Sequence, residues 1–282
     1  MNTLAAPAGG WLPLAISVAL AAVTLEAPVP TTPPLRVCAD PNNLPFSNAR
    51  GEGFENKLAE LLARDLRVPV QYEWRAQRRG FLRHTLNAGR CDVVMGVPAR
   101  MEMLATTAPY YQSTYVFVTR RAQHLRLRSL DDPQLHRLRI GVPIIGDDGA
   151  NAPPAHALAR RGIVANVVGY SVLGDYRTES PPSALVTAVA RGGVDVATVW
   201  GPVAGYFAAR AREPLDVQPI APGRLTADLP IVFAISMGVR RGDTARLAML
   251  NAFLARRQPE IDEVLAAFHV PRTDRPNHGG LP

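Results

Sequence analysis

Residues 109–119 read PYYQSTYVFVT, and the stretch Ser113 to Thr119 has the β-branched and aromatic content of a strand. A second such stretch, IVFAISMGV, occupies 231–239. The segments around them give both stretches a task. Upstream, Leu35 to Ala39 predicts a short strand, and Phe54, Leu58, Leu61, Leu62 and Leu66 recur at helical spacing. Val68 to Trp74 predicts a strand, 79–88 a helix stopped by Gly89, and Val93 to Val97 another strand. Between the two stretches the alternation repeats. It runs through a strand at Leu138 to Val142, a helix opened by Pro153 and Pro154, and a strand at Val164 to Tyr170. A helix from about Pro182 to Arg191, a strand at Val194 to Val199 and a helix from Pro202 to Arg210 follow. Alternation of this kind implies parallel sheets with crossover helices. The chain is therefore α/β with two lobes, and the two stretches are crossing strands between them. The last helices, carrying Leu247, Leu250 and Leu254 and then Ile261, Val264, Leu265 and Phe268, follow the second crossing and are expected on the first lobe. The expected organisation is lobe 1 over 35–118 and 232–272, and lobe 2 over 119–231.

The whole chain has 282 residues, 47% hydrophobic and 20% charged, which excludes a disordered, collagenous or polytopic membrane protein. Its 31 basic residues exceed 24 acidic ones, for a net charge of +7, and Lys57 is the only lysine. The arginines are spread along the chain without a block of like charge, and no zinc-finger, phosphate-loop or aromatic-basic pattern accompanies them. Nucleic acid is not an expected partner.

Residues 14–25, LAISVALAAVTL, are long enough for the apolar core of a signal peptide and short for a bilayer span. A Pro-rich run from Pro28 to Pro34 follows, so 1–30 is expected to be leader and linker, with an exported, periplasmic mature chain that has no membrane span. The first ten residues hold no Lys or Arg, so an uncleaved anchor stays open. Cys38 and Cys91 are a disulfide candidate in an exported chain, with two buried thiols as the alternative.

A split first lobe, a continuous second lobe and two crossing strands resemble the type II periplasmic solute-binding fold, with a ligand cleft between lobes and hinged closure. RMEMLATTAPYY (100–111) and VDVATVWGPVAGY (194–206) strengthen the resemblance. Amino-acid-binding members of that fold hold carboxylate with an arginine nine residues before the Pro-Tyr-Tyr proline, where this chain has Arg100. They hold ammonium with an acid at the position of Trp200. The usual Gly-Thr-Thr donors are replaced here by Gly146-Asp147-Asp148-Gly149-Ala150-Asn151. An amino acid or simple carboxylate ligand is thereby disfavoured.

A narrower resemblance rests on VCADPNNLPFSN (37–48), GEGFENKLAELLARDL (51–66), QRRGFLRHTLNAGRCDVVMGVPA (77–99), PYYQSTYVFV (109–118), IGDDGANAPPAHALARRGI (145–163) and VWGPVAGYFA (199–208). These strings look like the methanol-oxidation J-type proteins, the MoxJ/XoxJ family. That resemblance implies a non-catalytic accessory protein of a quinoprotein methanol dehydrogenase. Pyrroloquinoline quinone, PQQ, would belong to the partner, with no cofactor or metal on this chain. A solute receptor for a small polar ligand, with Arg100 as its anion contact, is the alternative.

The candidate cleft residues are Asp40, Asn42, Asn43 and Phe46 after the first strand, Arg78, Arg100, Tyr110, Tyr111, Asp147, Asp148 and Trp200. Each has a plainer reading. The 40–46 segment makes an ordinary Asx turn, Arg78 and the paired aspartates sit on a solvated surface, and one of the two tyrosines faces the core. Trp200, ending a strand between lobes, is the type of anchor that dominates protein interfaces, or else core packing. No HExxH, GxSxG or CxxC occurs, and the six histidines do not cluster, so an enzyme would rest on Asp40 or Asp147 alone.

Overall fold

The computed structural model describes Met1 and residues 33–145, 150–174, 176–221 and 229–274. The expected leader, 1–30, and the aspartates 147 and 148 lie outside the described residues. Residues 32–282 form one compact unit. No helix among the described residues is long and apolar enough to cross a membrane.

Each block of alternating elements builds half of one sheet. In the first half, β1 (Leu35–Ala39) leads into a small hairpin of β2 (Asn42–Asn43) and β3 (Ser47–Asn48) and then into α1 (Phe54–Leu66). β4 (Val70–Trp74), the single-turn α2 (Phe81–His84) and β5 (Val93–Pro98) follow, with β1 parallel to both β4 and β5. Phe54, Leu58, Ala59 and Leu62 are fully buried, one stripe of α1 against the sheet. Burying a leucine in this way contributes about 1.5–3 kcal/mol. Asn56 Oδ1 accepts from the backbone N–H of Gly53 (3.1 Å) and of Asn48 (3.0 Å), so one side chain caps the helix and holds the hairpin to it.

After the two-residue β6 (Ala105–Thr106) comes β7 (Tyr111–Arg120), the first crossing strand. The second half contains β8 (Ile140–Ile145), β9 (Ala150–Asn151), α3 (Pro153–Ala159) and β10 (Val167–Ser171). It continues through α4 (Ala184–Ala190), β11 (Val196–Trp200), α5 (Gly201–Ala208) and β12 (Leu215–Pro219). β8 is parallel to β10 and β11. The second crossing strand is β13 (Val232–Val239), and α6 (Thr244–Ala267) closes the fold. The main strand order is β10-β8-β11-β7-β13-β5-β1-β4. The crossing strands lie side by side at its centre, antiparallel to each other and to their flanking strands. β7 serves both halves: Tyr111 to Thr114 pair with β13, and Tyr115 to Arg120 pair with β11 or β12.

Three local expectations differ from the structure. The helix expected over 79–88 is reduced to Phe81–His84, because Gly80 enters it in left-handed backbone (φ 84°) and Thr85 leaves helical geometry. The Leu86 carbonyl in the unwound part accepts from Arg240 Nη1 (3.2 Å), which also donates to the oxygen of Cys91 (2.5 Å). The separate last helices are one 24-residue helix running through Pro259. Leu250, Phe253 and Leu254 before the proline and Ile261 and Leu265 after it bury in the same core, which outweighs the hydrogen bond that proline removes. β12 was unforeseen: in Leu-Asp-Val-Gln-Pro the polar residues and proline mask a strand that pairs antiparallel with β7.

The cysteines are disulfide-bonded, Cys38 on β1 to Cys91 before β5, with their Cα atoms 5.4 Å apart. Next to the bridge, Asp92 is 7% exposed and accepts from Arg36 Nε and Nη2 at 2.8 Å each and from Arg240 Nη2 at 3.0 Å. Burial pushes its carboxyl up, but the hydrogen bonds of Arg36 and Arg240 and the charges of Arg246 and Arg36 outweigh that and leave it below the usual range. Asp92→Ala is expected to lower stability by about 2 kcal/mol at neutral pH. A carboxyl depressed in the folded state contributes fully above its unfolded value of about 4 and loses that contribution as pH falls through the folded value. Urea midpoints of wild type and variant should therefore differ at pH 7 and converge in acid.

Candidate functional site

The carboxyl ends of the parallel strands from both halves face one cavity of about 330 Å³. Phe46, Glu55, Gly96, Val97 and Pro98 wall it from the first lobe, and Pro143, Val172, Leu185, Val199, Trp200 and Val203 from the second. Tyr111, Tyr115, Phe233 and Ile235 of the crossing strands form its floor, with Asn43 and Gln77 adding polar atoms at the first-lobe side. Such a volume with mostly apolar walls and few polar groups is typical of a ligand site.

Trp200 ends β11 and starts α5. Its ring lies 5.4 Å from that of Tyr115 and 5.7 Å from that of Phe233, both edge to face. It borders all three large hydrophobic cores, one from the first lobe and two from the second. Phe46 bridges two of them in the same way. Burial pushes the Tyr115 hydroxyl up to about 12, so it stays neutral and able to donate.

Glu55, in the first turn of α1, is the site residue that sequence reading missed. It looks like an ordinary acid at a helix N-terminus. The usable signal was Gly96, a glycine inside a strand, which often marks a close approach. A Cβ at Gly96 would collide with the Glu55 carboxyl, so the missing side chain makes room for it. Burial alone pushes the Glu55 carboxyl up to about 8.

Of the residues expected in the cleft, Asn43, Phe46, Tyr111 and Trp200 line the cavity. Asp40 does not. It is 3% exposed and accepts from the backbone N–H of Gln77 (2.6 Å) and of Asn42 (2.8 Å), so it staples the loops after β1 and β4 together. Burial raises its carboxyl, opposed by those two backbone hydrogen bonds and by the charge of Arg78. Tyr110 is in the core with its hydroxyl donating to Met95 O at 2.8 Å, because adjacent residues of a strand point to opposite faces. Arg100 is exposed, in a left-handed turn (φ 60°), and does not line the cavity.

Asn42 and Arg78 meet the opposite lobe at the rim. Asn42 Nδ2 donates to Thr178 O at 2.7 Å, and Arg78 Nη2 donates to Gly174 O. Arg50 and Glu179 add an exposed ion pair at 3.9 Å. These contacts tie Gly174, Thr178 and Glu179, close in sequence to the cavity-lining Val172 and Leu173, to the first lobe.

Two α/β lobes joined by paired crossing strands, with a partly open cavity between them, define a solute-binding protein of the type II periplasmic fold. The chain matches the bacterial extracellular solute-binding proteins, family 3, over residues 35–267, and it belongs to that family. Within it the chain is of the MoxJ/XoxJ type. Protein MoxJ of Methylorubrum extorquens is 30% identical over 87% of this chain and 84% of its own length. The crystal structure of periplasmic binding protein XoxJ from Methylobacterium extorquens AM1 is 35% identical, covers 84% of this chain and 98% of its own, and superposes with a TM-score of 0.70. That of MxaJ from Methlophaga aminisulfidivorans MPT is 27% identical over 84% of this chain and 99% of its own, with a TM-score of 0.74.

Proposed function

We propose that the chain is a periplasmic, non-catalytic accessory protein of a PQQ-dependent methanol dehydrogenase system, and that its interlobe cavity receives the dehydrogenase or a segment of it. The observation that carries this reading is the cavity wall itself. It is built mostly from aromatic and aliphatic side chains around Trp200 and, among the described residues, has no basic residue to clamp a carboxylate. A wall of that composition suits an apolar protein side chain better than a zwitterion. The MoxJ and XoxJ relatives supply the methanol-oxidation setting, and the leader-like stretch 14–25 and the disulfide support export.

Catalysis has little support in the polar groups. Asp40 is held by backbone donors, and Glu55 has no second titratable group aligned with it as an acid-base partner. PQQ is the partner's cofactor in this reading, and the chain requires none. The surplus of seven positive charges would steer it toward an acidic partner. A transport receptor for a small polar solute also suits the family, but Asn43, Gln77 and Glu55 are too few to replace the hydrogen bonds that a solute with several polar groups would lose.

Biolayer interferometry between the mature chain and the quinoprotein methanol dehydrogenase of the same organism tests the reading. A saturable complex that weakens as salt is raised is the expected result. No complex at any salt, together with a polar solute that raises the melting temperature, would replace this reading with the receptor.

A further inference from the structure

Among the described residues, Glu55 is the single carboxylic acid on the cavity wall, and no lysine, arginine or histidine is on it. The Glu55 carboxyl makes no hydrogen bond or ion pair among the described residues, and the side chain is half-buried in the cavity wall, so its charged form is only partly solvated. Asn43, 3% exposed in the same wall, leaves its Oδ1 without a partner as well. Two unpaired acceptors therefore stand beside a cavity otherwise walled by Trp200, Phe233, Tyr111 and Tyr115. Ring faces attract cations, and a partly solvated carboxylate gains from one.

We propose that this cavity takes a single protonated amine on a short apolar stem, its ammonium paired with the Glu55 carboxylate and its stem against Trp200 and Phe233. The inference rests on the cavity being the binding site, as proposed above, and adds the chemistry of the bound group. That chemistry has two sources, a lysine side chain presented by the dehydrogenase or a free alkylamine. The other titratable groups near Glu55 are the phenols of Tyr110, just before β7, of Tyr111 on β7 and of Tyr72 on β4, each raised chiefly by burial and further by the Glu55 charge, while Arg272 acts on Tyr111. With its own carboxyl raised by burial, Glu55 is mostly protonated at pH 7 when the cavity is empty. Binding an ammonium ionises it and releases one proton to the buffer.

The experiment uses n-butylamine, the lysine side chain without its backbone, with n-butanol and butyrate as neutral and anionic controls. Isothermal titration is run on the mature chain at pH 7 in two buffers of different ionisation enthalpy. Butylamine is expected to bind about tenfold tighter than butanol, with proton release, and butyrate not to bind. Glu55→Gln should remove both the preference and the proton release. Gly96→Ala, whose methyl would occupy the carboxyl's place, should remove the preference with the acid still present. Equal affinity for butylamine and butanol, or a preference that survives in a folded Glu55→Gln, would overturn the inference. Competition with the dehydrogenase supports a partner lysine, and simultaneous binding supports a free amine. Butylamine bound without any dehydrogenase complex overturns the proposed function alone, and the reverse overturns this inference alone.

Discussion

Replacing Cys38 and Cys91 together by serine is expected to lower the unfolding free energy by about 4 kcal/mol, close to a thousandfold in the folding equilibrium. The bridge closes a loop of 53 residues, which holds α1, β4 and α2, and loop-closure entropy sets the size of the effect. It ties β1 to the segment entering β5, the two strands whose ends carry Cys38, Asp40, Gly96 and the cavity's first-lobe wall. Urea unfolding of the serine double variant, or of the wild type in reductant, measures it. A loss below about 1 kcal/mol would mean that the buried sulfurs and the Asp92 arginine cluster already hold these strands without the covalent link.

Trp200→Ala is expected to cost about 3 kcal/mol and to abolish capture in the cavity. The indole touches three cores, so its removal opens a void that neither lobe can close alone. It also deletes the ring that meets Tyr115 and Phe233. Trp200→Phe separates the two effects, since a smaller ring preserves most of the packing while losing part of the wall. The alanine variant should unfold at lower urea and the phenylalanine variant nearer to wild type, with binding weakened in both. A Trp200→Ala protein as stable as wild type would show that the indole is not where the cores join.

The alternation that organises the chain is plain in its sequence because parallel strands and crossover helices are both buried and both apolar. PYYQSTYVFVT and IVFAISMGV stand out for the same reason, being buried at the sheet's centre. β12 was hidden by its Asp216, Gln218 and Pro219, which an edge strand tolerates. α6 continues through Pro259, a local stop signal, because the core that buries both of its halves is a tertiary fact that no local pattern carries.

At the site, Phe46, Tyr111 and Trp200 were legible as aromatic residues at strand ends. Arg100 does not line the cavity, and sequence spacing carries its register but not the left-handed turn in which it sits. Glu55 was invisible because its role depends on what faces it: a glycine some forty positions along the chain that leaves space for its carboxyl.

Engagement of the dehydrogenase through the interlobe cavity, as proposed, would leave a footprint on the chain. Hydrogen–deuterium exchange of the mature chain with and without the cognate quinoprotein methanol dehydrogenase tests it directly. Slowed exchange is expected in residues 42–56 and in 172–178 and 200–206, which border the cavity, with lobe surfaces distant from it unchanged. Protection confined to those distant surfaces, or exchange at the cavity unaltered while the complex forms, would contradict it.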